Sequence, residues 1–196
     1  MDYAIVRFNE SFAQHLPHPQ STIDVIGRLV LRYDGDRWTT SEEFLELPCT
    51  KMYPEDSYDP AEYVDCPDRA AFLAMEGGRC VGYVRTCRRW NGNAHIEDIT
   101  LDRGHRGRGL GTKLIDAVIG WANENGLHGV SLETQDWNLL ACRFYMKYGF
   151  VLGGMDVLVY DAFEQTRSEA ALYFYLLPVA KTFRQEDNGD DDDEAN

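Results

Sequence analysis

The stretch Ile99–Ile115, "ITLDRGHRGRGLGTKLI", packs a strand end, three glycines at alternate positions (107, 109 and 111), the two arginines that flank the first of them and the start of an apolar helix into seventeen residues. From Leu110 the apolar residues Leu114, Ala117, Val118, Trp121 and Ala122 recur at helical spacing, and Gly126 marks the stop. Strand, glycine turn and helix start form a cradle for an anion, because the first amides of a helix lack carbonyl partners and the helix dipole is positive there. Two familiar phosphate loops are excluded. Lys113 follows Thr112 rather than Gly111, so the G-x-x-x-x-G-K-[ST] loop does not fit. Gly107, Gly109 and Gly111 are spaced G-x-G-x-G rather than G-x-G-x-x-G, so the dinucleotide fingerprint does not fit either. Two readings remain on spacing alone: a pyrophosphate site helped by Arg106 and Arg108, or an ordinary glycine-rich turn into a helix.

Upstream, "AAFLAM" (70–75), "CVGYVRTCR" (80–88) and "AHIEDITL" (94–101) are separated by Gly-containing turns and predict an antiparallel meander. Downstream, "GVSLET" (129–134) reads as a strand and "NLLACRFYMKY" (138–148) as a second helix ended by Gly149. "VLVY" (157–160) and "AALYFYLL" (170–177) read as closing strands. Near the start, "YAIVRF" (3–8) predicts a strand, and 24–40 a hairpin turning at Asp34-Gly35. The acid- and Pro-rich 53–68 reads as a loop with one helical turn. The expected class is α+β: one mixed, largely antiparallel sheet flanked by helices.

With 196 residues and 44% hydrophobic content, the chain can bury one sizeable core. No apolar run is long enough to span a membrane, and "MDYAIVRFNESF" has no signal-peptide pattern, so the expected location is the cytoplasm. Five cysteines without a C-x-x-C pair suggest reduced thiols and no metal. The net charge is −14, half of it in 186–196, which predicts one domain over 1–183 and an unfolded acidic tail over 184–196. What remains is still acidic. Nucleic acid is therefore disfavoured as a partner and a cationic small molecule favoured, while monomer and homodimer both stay open.

Arg106-Gly107-Arg108-Gly109-Leu110-Gly111 resembles the R/Q-x-x-G-x-G/A motif of the GNAT superfamily of acyl-CoA-dependent N-acyltransferases, and "NLLACRFYMKYGF" (138–150) resembles its second motif. The resemblance implies a GNAT-type sheet and acetyl-CoA as co-substrate. The CoA pyrophosphate would lie on Arg106, Gly107, Arg108, Gly109, Leu110, Gly111 and Thr112. Its pantetheine arm would lie along Ile99, Thr100 and Leu101, with Asn138 and Tyr145 beside it. A narrower likeness, in "EYVDCPDRAAFLA", "WNGNAHIEDITL", "LETQDWNLLACRFY" and "ALYFYLL", is to the streptothricin acetyltransferases, which acetylate the β-lysine arm of that antibiotic. Protein lysines, N-terminal amines and polyamines are alternative acceptors, and a non-catalytic CoA-binding module is a third possibility.

Transfer to an amine needs a proton acceptor, because an alkylammonium of pKa near 10 is only about 0.1% neutral at pH 7. Glu97 and Glu133 are the expected catalytic carboxylates, and Asp98 the expected holder of the cation. In a regular strand Glu97 and Asp98 face opposite ways, unless a bulge intervenes. Tyr145, by its place in the second motif, is the expected proton donor to the leaving thiolate. Asn138 fits a helix N-cap as well as a CoA contact. His95 and Cys142 read as structural, and Asp65, Asp68 and Trp90 as loop residues, of which Asp65 and Trp90 are the expected border of the acceptor pocket.

Overall fold

The computed structural model describes residues 3–12, 22–53 and 58–177. The expected tail, 184–196, lies outside them, as do the last residues of the expected domain.

Seven strands form the main sheet: β1 (Tyr3–Arg7), β4 (Arg69–Glu76), β5 (Arg79–Arg88), β6 (Ala94–Leu101), β7 (Val130–Gln135), β8 (Val151–Asp156) and β9 (Ala171–Leu176). Their spatial order is β1-β4-β5-β6-β7-β9-β8, and only the β6–β7 pair is parallel. Helix α1 (Leu110–Glu124) is the crossover between those two parallel strands, as such a connection requires, and α2 (Leu139–Tyr148) follows β7. A separate two-stranded ribbon, β2 (Thr22–Tyr33) with β3 (Trp38–Met52), packs its Leu29 into the core shared with both helices. The expected mixed sheet with flanking helices is what the chain adopts. The ribbon turns at Asp34-Gly35 as expected but runs twelve residues further, to Met52.

The two sheet faces bury different sets. On the helix face, Ala70, Ala74, Val84, Ile96 and Leu132 meet Leu114, Val118 and Trp121 of α1 and Leu139 and Tyr145 of α2. On the far face, Phe8, Ala71, Leu73, Cys80 and Tyr83 meet Tyr63, which sits on a 3-10 turn over Pro60–Tyr63. One expected strand is corrected. Residues 157–160 are turns, because Asp156 accepts the amides of Leu158 and Val159 through its carboxylate and ends the strand there. The strand before β9 is instead β8, whose Gly153 and Gly154 hide it from any propensity argument.

Candidate active site

The three alternating glycines of the opening stretch are there for different reasons. Gly107 and Gly109 take positive φ (73° and 81°), which lets the chain turn from β6 into α1. Gly111 is in regular helix, but a Cβ there would lie 3.0 Å from Phe144 Cζ of α2, so this glycine serves helix–helix contact. Lys113 is the first residue to donate a helical bond, to Gly109 O at 3.2 Å, which leaves the preceding amides for a ligand. Arg106 departs from its expected use. Its Nε donates to Leu101 O (3.2 Å) and its Nη2 to Thr22 O (2.8 Å), so it clamps the loop between β6 and the ribbon rather than offering a free charge. Exposed Arg108 reaches Tyr3 Oη at 2.9 Å, and Thr112 is exposed on the first turn of α1.

The sheet divides beside this loop. β6 and β7 pair only through Ala94–Val130, His95–Ser131 and Ile96–Leu132, although β6 continues to Leu101 and β7 to Gln135. The stretch Ile99–Leu101 thus keeps β5 on one side and presents unpaired backbone to the widening gap on the other. An extended arm of amides fits such an edge.

At the same place β6 carries a bulge. Arg85 pairs with Asp98 and Thr86 with Ile96, so Glu97 has no partner residue on β5. The extra residue turns both acids to the face away from the helices. Glu97 accepts from Tyr63 Oη (2.6 Å) and Arg69 Nη1 (3.2 Å). Asp98 accepts from Tyr83 Oη (2.5 Å) and Thr100 Oγ1 (3.2 Å) and lies 3.7 Å from Arg85 Nη2. Arg85 also donates to Tyr63 Oη at 3.2 Å, which joins the two acids into one network. Burial, then the bond to Glu97, pushes the Tyr63 phenol up to about 12, so it stays a donor.

Leu132 faces the helices, so Glu133, next along β7, faces the same way as Glu97 and Asp98 but across the gap. Its carboxylate accepts from Tyr160 Oη at 2.5 Å and shares no partner among the described residues with the other two acids. Tyr145 approaches from the helix side, 6% exposed, its ring against Phe144, Phe150 and Phe174. Its hydroxyl bonds no group among the described residues. Burial first, then the charges of Cys142 and Asp98, push its pKa up, so the phenol stays protonated.

Other expected residues fall elsewhere. Asn138 stands at the N-cap of α2, yet its side chain makes no cap bond; the amide remains available for a ligand. Trp90, 95% exposed, lies in the β5–β6 turn, at the end of β6 opposite the glycine loop. Asp65 lines a different cleft, with Phe8 and Cys66, and Asp68 is taken by Arg88 Nε at 2.9 Å. His95 meets Ser131 Oγ, and burial lowers its pKa to about 4. Burial raises the Cys142 thiol to about 12, which rules it out as a nucleophile near neutral pH. Tyr63, Tyr83, Arg69 and Arg85 carry no spacing signal in the sequence. The bulge does, since the apolar positions 94 and 96 are followed by 99 and 101, a change of parity within one strand.

The profile of the acetyltransferase (GNAT) family matches residues 38–150, more than half of the chain. The chain belongs to this family. Within the GNAT enzymes it is 38% identical to streptothricin acetyltransferase A of Bacillus subtilis (strain 168) over 157 residues, covering 80% of this chain and 90% of the relative. Its fold superposes with a TM-score of 0.82 on a structure from Bacillus anthracis str. Ames assigned as a streptothricin acetyltransferase in complex with acetyl coenzyme A. The identity there is 33%, and 91% of this chain and 98% of that one are covered. A nourseothricin acetyltransferase gives a TM-score of 0.75 at 27% identity, covering 89% and 98%. This GNAT chain is thus an N-acetyltransferase, and the complex from B. anthracis supports acetyl-CoA as its donor.

Proposed function

We propose that the chain transfers acetyl from acetyl-CoA to a primary amine on the β-lysine arm of streptothricin and so confers resistance to it. The near full-length likeness to a streptothricin acetyltransferase carries this reading. The acidic face around Glu97 and Asp98 suits a cationic acceptor.

In this reading the amides of Gly107–Thr112 take the pyrophosphate, the open edge of β6 takes the pantetheine arm, and the thioester lies in the gap between β6 and β7. Asp98 holds the incoming ammonium and accepts its proton, directly or through water, while Tyr83 and Arg85 keep the carboxylate oriented. The neutral amine attacks the thioester carbon, the tetrahedral intermediate collapses with C–S cleavage, and Tyr145 gives a proton to the thiolate. The second proton of the acylated nitrogen passes through solvent to the Tyr145 phenolate, while the proton on Asp98 leaves to bulk water. A thiol of pKa near 8.5 leaves readily, so the proton from Tyr145 contributes modestly. Glu97, bound by Tyr63 and Arg69, strengthens the negative field. Glu133, on the opposite lip, shares that task but is held by Tyr160.

Release of free CoA thiol from acetyl-CoA, followed with streptothricin, lysine, spermidine and a lysine-rich peptide, tests the assignment. Streptothricin should give the highest kcat/KM, with a product heavier by one acetyl group. Preference for the peptide or for spermidine would reassign the acceptor.

A further inference from the structure

We propose that the cleft beside the β6 bulge is a second acceptor subsite, which binds a distal ammonium group together with the carbonyl oxygen of an aminoacyl arm. The proposal rests on the acetyltransferase reading and adds where the rest of the acceptor lies. The cleft is about 540 Å³ and opens on the sheet face away from the two helices. Glu97 forms part of its wall and is the immediate neighbour of Asp98. A molecule acetylated in the gap therefore passes from Asp98 along Glu97 into this space.

Two features define what it would take. The first is unneutralised negative charge on the rim. Asp59 spends one oxygen on the Ala61 amide (2.9 Å) and leaves the other without a partner among the described residues. Half-exposed Glu62 has, among the described residues, only Arg69, at 3.3 Å, and Arg69 is already shared with Glu97 and Tyr63. The second feature is Arg85. Its side chain is 6% exposed, its guanidinium lies 3.9 Å from the Tyr58 ring centroid, and Nη1 donates to Tyr63. Its Nε–H is buried with no acceptor among the described residues, in a residue that lines the cleft. A buried donor left unpaired costs free energy, and a ligand oxygen would satisfy it. Three carboxylates, Asp59, Glu62 and Glu97, line the cleft against the two guanidiniums of Arg69 and Arg85, which disfavours a phosphate. The carboxylates and the Arg85 Nε–H match a cation joined to an amide carbonyl.

The test compares three acceptors with the full chain: n-pentylamine, with one ammonium; cadaverine, with a second; and lysinamide, which is cadaverine bearing a carboxamide. The second ammonium should raise kcat/KM about fivefold, and the carboxamide about fivefold again. In the double variant Asp59→Asn, Glu62→Gln the advantage of cadaverine over pentylamine should fall to about two, the statistical factor for its two equivalent amines. Both changes keep side-chain shape, and a thermal melt establishes that the variant is folded. An unchanged cadaverine-to-pentylamine ratio in the folded variant overturns the subsite, as does equal kcat/KM for lysinamide and cadaverine in the parent. Absence of thiol release with every amine, streptothricin included, overturns the acetyltransferase reading itself.

Discussion

At position 98 one carboxylate meets a phenol, a hydroxyl and a guanidinium, and each can be removed alone. Asp98→Asn keeps the shape and deletes the proton acceptor, so kcat should fall by about 100-fold, whereas a change confined to KM would make Asp98 a binding group only. Tyr145→Phe leaves the ring among Phe144, Phe150 and Phe174, so stability should hold while kcat drops about tenfold with the KM for acetyl-CoA unchanged. The acids and Tyr145 stood out as candidates by motif and residue type, with Glu97 and Glu133 rather than Asp98 as the expected bases. Their supporting partners did not stand out, because Tyr63 is 34 residues from Glu97 and no local spacing announces such a bond. His95 permits a pH experiment of known sign. Burial, assisted by Arg89, lowers its pKa to about 4 from 6.5, so the folded chain refuses a proton that the unfolded chain binds below 6.5. The stability it contributes is full above that value and is lost as pH falls toward 4. Compared with the parent, His95→Gln should lose less Tm between pH 7 and pH 5 in differential scanning calorimetry.

Among the elements, the turn from β6 into α1 combines two demands, positive φ and exposed amides, and both meet at Gly109. Gly109→Asp strains the backbone and sets a negative charge where a pyrophosphate belongs. The KM for acetyl-CoA should rise at least tenfold, with the acceptor KM little altered; an unchanged value in a folded variant would detach this loop from the co-substrate. This element was readable from sequence because glycine spacing and helical periodicity are local. β8 was not, since "VLGGMD" borrows its strand geometry from pairing with β9 rather than from its own residues. The ribbon's second strand was cut short for a related reason. Residues 41–47 are mostly exposed and include three acids; 41–44 stay extended because they pair with Gly27–Val30, whereas 45–47 fall in the irregularity between the Val25–Cys49 and Gly27–Phe44 pairs.

For the molecule as a whole, the ribbon is an addition fastened at separated points: Asp24 to Arg103, Glu42 to Arg143, and Lys51 with Tyr53 to the fully buried Glu169. Glu169→Gln deletes the charge that Lys51 answers. Because Lys51 is partly exposed, the cost should be about 2 kcal/mol, or a Tm lower by roughly 4–8 °C for a chain of this size. The joins between ribbon and body lie more than 70 residues apart in sequence, so no pattern in the chain foretells them. The abbreviated ladder between β6 and β7 gives the sheet an unusual economy. Three residue pairs and a crossover helix hold its halves together, and beyond Ile96 the co-substrate would act as the missing strand. Binding would then finish the architecture, and the backbone itself would record it. Deuterium uptake at the amides of 98–101 should slow with CoA and with pantetheine, but not with adenosine diphosphate, which has a pyrophosphate and no arm to lie along the edge.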